Sequence, residues 1–165
     1  MTLDRAHAFR DVSSPDKWLN FGDFGAMVQF VMLKGHLFRL PYGSDLLEAL
    51  TEELKRRGIR AGFLSVMGAV KEATLLYYDQ GKRAYRSRRI KGGLEIASTV
   101  GNISLREGEV FVHLHAVLAD EEGRTWGGHL GSPTEVFAVE AFVLELQGEP
   151  PERSYDPLTG LYLWR

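Results

Sequence analysis

The chain has 165 residues, a single-domain length with room for a sizeable core. Apolar residues at 44% and charged residues at 25% describe an ordinary globular protein, and a net charge of −2 lacks the overall basic excess of a chain built around nucleic acid. Cysteine is absent, which excludes disulfides, cysteine–zinc sites and cysteine nucleophiles, so a transition metal here must rely on His, Asp or Glu.

Residues 1–25 are punctuated by Ser13-Ser14-Pro15, Gly22 and Gly25 and read as an irregular N-terminal extension, with His7 on the surface. They lack the basic-then-apolar pattern of a signal peptide. No apolar run reaches the ~18 residues of a membrane span. The expected setting is the cytoplasm, with no membrane partner. Residues 26–165 read as one domain. AMVQFVMLKGHLFRL (26–40) is β-rich, either one strand with Gly35 as a bulge or two short strands. SDLLEALTEELKRRG (44–58) is the convincing helix. Ser44 or Asp45 caps it, Asp45 with Glu48 resembles a capping box, and Leu46, Leu47, Leu50 and Leu54 form the apolar stripe. Acids come early, Lys55, Arg56 and Arg57 come late, and Gly58 supplies the stop, an order that suits the helix dipole.

After the helix the pattern turns to short β-prone runs separated by turn-like DQGK, KGG, REGE, DEEG and GSPT. The expected fold is α+β, a mostly antiparallel sheet of about seven strands with one main flanking helix. The tail opens on Pro150-Pro151 and turns apolar again at Leu161-Tyr162-Leu163-Trp164, which is expected to dock on the body.

Three of the five histidines lie in VHLHAVLADEEGRTWGGHL (112–130). His113 and His115 are two apart in a predicted strand and so share a face, with Phe111 and Val117. A hairpin turn centred near Glu122 places His129 opposite His115, where cross-strand Cβ atoms lie ~4.5–5.5 Å apart. Three imidazoles converging there suit zinc or another divalent transition metal, with at least one coordination position left open. Gly127-Gly128 permits close backbone approach beside the third ligand. The alternative is that all three are ordinary imidazoles on a half-exposed sheet face.

GEVFVHLHAVLADEEGRTWGGHL resembles the central signature of the PPC family, the plant-and-prokaryote-conserved domain. LPYGSDLLEAL, GIRAGFLSVMGAVKEATLLYYD, LEIASTVGNISL with its Gly101-Asn102 step, and YDPLTGLYLW resemble further family segments in order. The resemblance covers roughly residues 28–165. It implies an antiparallel sheet with a flanking helix, assembled as a homotrimer, with zinc held in some prokaryotic members by histidines that match His113, His115 and His129. Family members are commonly described as predicted DNA-binding. Plant members bind AT-rich DNA through a separate AT-hook with an Arg-Gly-Arg-Pro core, and this chain has no such motif.

KRAYRSRRIK (82–91) is dense in cations, among them Arg83, Arg86, Arg88 and Arg89. It reads either as a strand that follows a phosphate backbone, with Tyr85 stacking on a base, or as a solvated edge strand protected by its charge, the reading its composition favours. Arg39 and Glu140 are the candidates for catalysis. Arg39 would hold an anion, and Glu140, inside an apolar run, would orient a ligand histidine or act as general base; structural ion pairs are the alternative. His36 reads as satisfied or exposed. The sequence thus carries three functions: a zinc-binding protein with a regulatory, ligand-sensing or DNA-binding role, a hydrolase-like zinc enzyme acting on a small molecule between subunits, and a metal-free DNA-binding strand.

Overall fold

The computed structural model describes residues 31–164, so the expected N-terminal extension, with His7, lies outside the described residues. The chain runs β1 (Val31–Arg39), α1 (Leu46–Arg57), β2 (Gly62–Asp79), β3 (Ala84–Arg106), β4 (Glu109–Ala119), β5 (Thr125–Gln147), β6 (Glu152–Asp156) and β7 (Leu161–Trp164). All strand pairs are antiparallel except β3 with β6. The pairing β2–β3–β4–β5 returns to β2, so the four long strands close on one another; β1 adds to β5, and β6 with β7 extends β3.

The α+β, mostly antiparallel expectation holds, and the helix lies where its caps place it. The choice between Ser44 and Asp45 falls to Asp45, whose side chain accepts from the Leu47 and Glu48 amides at 3.1 Å each. Gly58 closes the helix with φ 70°, a left-handed conformation that favours glycine. Leu46, Leu50 and Leu54 are fully buried against the sheet. Asp45 does more than cap. Its carboxylate also accepts from the Ser132 hydroxyl at 2.8 Å and the Thr134 amide at 2.7 Å, tying the start of α1 to β5.

The strands differ from their expected lengths. The run pairs IRAGFLSVMGAV with EATLLYYD, RAYRSRR with LEIASTVGNISL, and RTWGGHL with EVFAVEAFVLEL are each one continuous strand. Gly92-Gly93 and Ser132-Pro133 therefore lie within strands rather than between them. The ladders slip in register around such points, between Val70 and Glu72 and between Glu72 and Thr74, which bends a strand without ending it. At Pro133, which has no N–H, side chains complete the pairing: the Thr74 hydroxyl donates to the Pro133 carbonyl at 2.8 Å, and the Thr74 amide donates to the Thr134 hydroxyl at 3.3 Å. β1 passes through Gly35 unbroken. His36 is satisfied, 2.8 Å from the Glu145 carboxylate. Among the described residues, no helix is long and apolar enough to cross a membrane.

Candidate metal centre

β4 and β5 form a hairpin closed by Asp120, whose carboxylate accepts from the Arg124 amide at 2.9 Å. The pairs Ala119–Thr125 through His115–His129 follow in strict register. Along β4 the residues Val112, Leu114, Ala116 and Leu118 are buried in the core. The alternate residues His113 and His115 therefore point away from it, and His129 faces them as the partner of His115. The histidines are not core residues. One ring nitrogen from each lies within 4.8 Å of the others, and the Nε2 atoms of His113 and His115 are 3.2 Å apart. Nitrogens bound to one tetrahedral zinc stand about 3.3 Å apart, so small side-chain rotations bring the set to a metal.

Glycines make this approach possible. A Cβ on Gly101 would lie 2.4 Å from the His113 carbonyl oxygen, inside contact distance. Only a residue without a side chain lets β3 lie this close to β4, and the next residue, Asn102, then sits directly opposite His113. A Cβ on Gly128 would meet the Leu76 carbonyl at 3.1 Å, as expected for the glycine before the third ligand.

Arg153 of β6 is the residue that sequence reasoning missed. It is 8% exposed. Its guanidinium donates to the Ser104 hydroxyl at 2.8 Å, the Asn102 side-chain oxygen at 2.9 Å and the Tyr162 carbonyl at 3.1 Å, and it lies 3.3 Å from Nδ1 of His113. Phe111 and Trp164 flank it. The alternation ERSYD after a Pro pair was the available signal, but nothing in it tells an inward arginine from an outward one. Burial, with His129 and Arg153 nearby, pushes the His113 pKa down to about 4, and burial lowers that of His129 as well. His113 is then neutral, the form a metal requires, at any pH above about 4. A guanidinium only donates, so Nδ1 of His113 accepts and the ring proton sits on Nε2. A metal on Nε2 requires the opposite tautomer, whose Nδ1–H cannot accept from Arg153.

The other candidates lie elsewhere. Arg39 and Glu140 are exposed register partners of β1 and β5, and neither lines the cavity beside the histidines. In the basic strand, Arg86 is paired with Asp79 and Arg89 with Glu72, while Arg88 lies over the Trp126 ring. Arg83 donates to the Pro157 carbonyl at 3.1 Å and borders the histidine cavity. Tyr85 faces His129, with ring centroids 5.7 Å apart.

Residues 27–147 match the family described as the Plants and Prokaryotes Conserved (PCC) domain. The fold is similar to that of a metal-containing protein of Archaeoglobus fulgidus (TM-score 0.82, 45% identity, 85% of this chain and 99% of that one). It is also similar to a plant- and prokaryote-conserved protein of Pyrococcus horikoshii (TM-score 0.80, 38% identity, 85% and 96%). A candidate DNA-binding protein of Bacteroides thetaiotaomicron shares the fold at TM-score 0.75 and 26% identity, over 85% and 98% of the two chains. A bifunctional GlmU protein of a Synechococcus strain is 36% identical over 130 residues, 78% of this chain, which spans only 20% of that relative's length.

Proposed function

We propose, for a chain that belongs to the Plants and Prokaryotes Conserved domain family, a metal-binding role in which His113, His115 and His129 hold zinc and the protein serves in regulation or ligand sensing. The observation that carries this reading is the convergence of three ring nitrogens within 4.8 Å on the solvent side of one hairpin. The similarity to a protein of Archaeoglobus fulgidus described as metal-containing supports it. Bound there, zinc supplies positive charge and an open position for an anionic oxygen. The chain's own residues hold two imidazoles neutral by burial and set their direction through the β3–β4–β5 register.

The surroundings favour binding over hydrolysis. Among the described residues, no carboxylate of this chain lines the adjoining cavity, which leaves the hydrolytic reading without the carboxylate base it calls for. A DNA contact through the strand at 82–91 is likewise disfavoured, because Arg86 and Arg89 are already neutralised by carboxylates.

The test is metal content per chain on protein purified without a His tag, beside a His113→Ala/His129→Ala variant. About one zinc per chain, lost in the variant, is the expected result. Full zinc content in the variant assigns the metal elsewhere, and none in either protein makes the three residues ordinary surface imidazoles.

We also propose a homotrimer. Residues paired in register share a face, and the pairs Leu37–Phe142 and Val100–His115 carry an exposed apolar surface up to the histidines. Leu37 is 78% exposed, Met67 64% and Val100 54%, more than a monomer usually leaves on one sheet face. Light scattering is expected to give three times the 18.5 kDa chain mass; a monomer would overturn the assembly.

A further inference from the structure

The cavity beside the histidines has a composition that the metal role does not require. Its volume is about 460 Å³, within the range of small-molecule sites. Arg83, Arg106 and Arg153 line it together with His113 and His129, and no lining residue is acidic. Several surface cations are matched at close range: Arg86 with Asp79, Arg89 with Glu72, Lys71 with Glu135. In the cavity wall Arg106 approaches Glu107 only at 4.0 Å, Asp156 lies near Arg83 without an ion pair, and Arg153 has no acidic partner among the described residues. Arg153 is more than nine-tenths buried, yet its hydrogen-bond partners are a hydroxyl, an amide oxygen, a carbonyl and an imidazole, all uncharged. Among the described residues, no carboxylate lies within ion-pair distance of it. A buried charge is costly without a counter-charge, and this one adjoins a cavity of matching sign preference.

The rest of the wall is apolar or aromatic: Leu76, Tyr85, Phe111, Leu161 and Leu163. Such walls suit a flat apolar body and disfavour a bare, strongly hydrated ion. The guanidinium of Arg83 has one hydrogen bond, to the Pro157 carbonyl, which leaves most of its donors uncommitted. Arg106 lies over the Tyr162 ring with its guanidinium carbon 3.6 Å from the centroid, a placement that fixes the group while its edge stays available.

We propose that this cavity binds a small organic carboxylate with a planar apolar body. Arg83 and Arg106 donate to its carboxylate, Arg153 supplies the buried positive field, and Tyr85 and Phe111 flank the body. The site borders the proposed metal centre through His113 and His129, but it rests on the arginines and does not need the metal.

The experiment is calorimetric titration of the full chain with benzoate, run on chelator-treated and on zinc-loaded protein, with benzamide and inorganic phosphate as controls. Saturable benzoate binding near a millimolar dissociation constant is expected in both preparations, with benzamide at least about tenfold weaker. Arg83→Gln is expected to weaken benzoate about tenfold and Arg83→Lys less. Equal binding of benzamide would overturn the anion site, and phosphate binding more tightly than benzoate would overturn the apolar body. Benzoate binding that requires zinc and ignores Arg83→Gln would assign the anion to the metal alone and overturn the role of the arginines. No saturable binding in either preparation would also overturn the site. Because the chelator-treated arm holds no metal, a failure of the zinc reading leaves the benzoate result to stand by itself.

Discussion

Zinc at a hundred times its dissociation constant is expected to raise the stability of the wild-type chain by about 2.7 kcal/mol and to leave His113→Ala/His129→Ala unchanged. For a chain of this size that is a rise in midpoint of about 5–10 °C, readable by calorimetry. The reason is geometric. His113 and His115 lie on β4 and His129 on β5, and only the hairpin register brings them together, so the unfolded chain does not offer the three-nitrogen site. Acid has a separate effect on the metal-free protein. The folded state holds His113 near a pKa of about 4, below the ordinary value of 6.5, so between these values the unfolded state binds a proton that the folded state refuses. Stability therefore falls as pH drops from 6.5 through about 4, and zinc binding does not lose His113 to protonation until the lower end of that window. An equal zinc-induced shift in the double variant would sink the site assignment.

Arg153→Met is expected to separate stability from metal affinity. Methionine fills much of the space beside Phe111 and Trp164 but leaves the Ser104 hydroxyl, which is fully buried, without the arginine donor. Asn102 and the Tyr162 carbonyl lose a donor as well. The expected loss is about 2–3 kcal/mol by urea denaturation. Zinc affinity is expected to rise, because the substitution removes a cation 3.3 Å from His113, and with it the donor that holds Nδ1 as an acceptor. Zinc binding weakened tenfold, with folding intact, would instead make Arg153 a residue that positions the histidines.

Local signals are legible in the sequence, and long-range ones are not. The helix was legible at both ends because caps are chemistry between neighbours: Asp45 to Glu48, Gly58 to Leu54. The histidine register was legible because a short turn at Asp120 leaves little freedom in how β4 meets β5. The lengths of β2, β3 and β5 were hidden. Gly92-Gly93 and Ser132-Pro133 have turn composition, and the chain stays in strand because residues on either side of them pair with distant backbone, with the side chains of Thr74 and Asp45 bridging at Ser132-Pro133. Arg153 was hidden for the same reason. Its partners Asn102 and Ser104 lie about fifty residues earlier, and no spacing rule links them. Glu140 was open to three readings, as a partner orienting a ligand histidine, a general base or half of an ion pair, and its strand places it outward opposite Arg39.

Asp45 joins contacts of very different sequence separation. Capping α1 engages amides two and three residues away and is complete once the first turn of helix forms. Its bonds to Ser132 and Thr134 span 87 and 89 residues and exist only when β5 has been placed. Closing such a loop is among the slow steps of folding a sheet of this kind. One carboxylate therefore serves contacts of short and of long sequence separation, and the helix gains its full anchor only when the strand that carries His129 is in position.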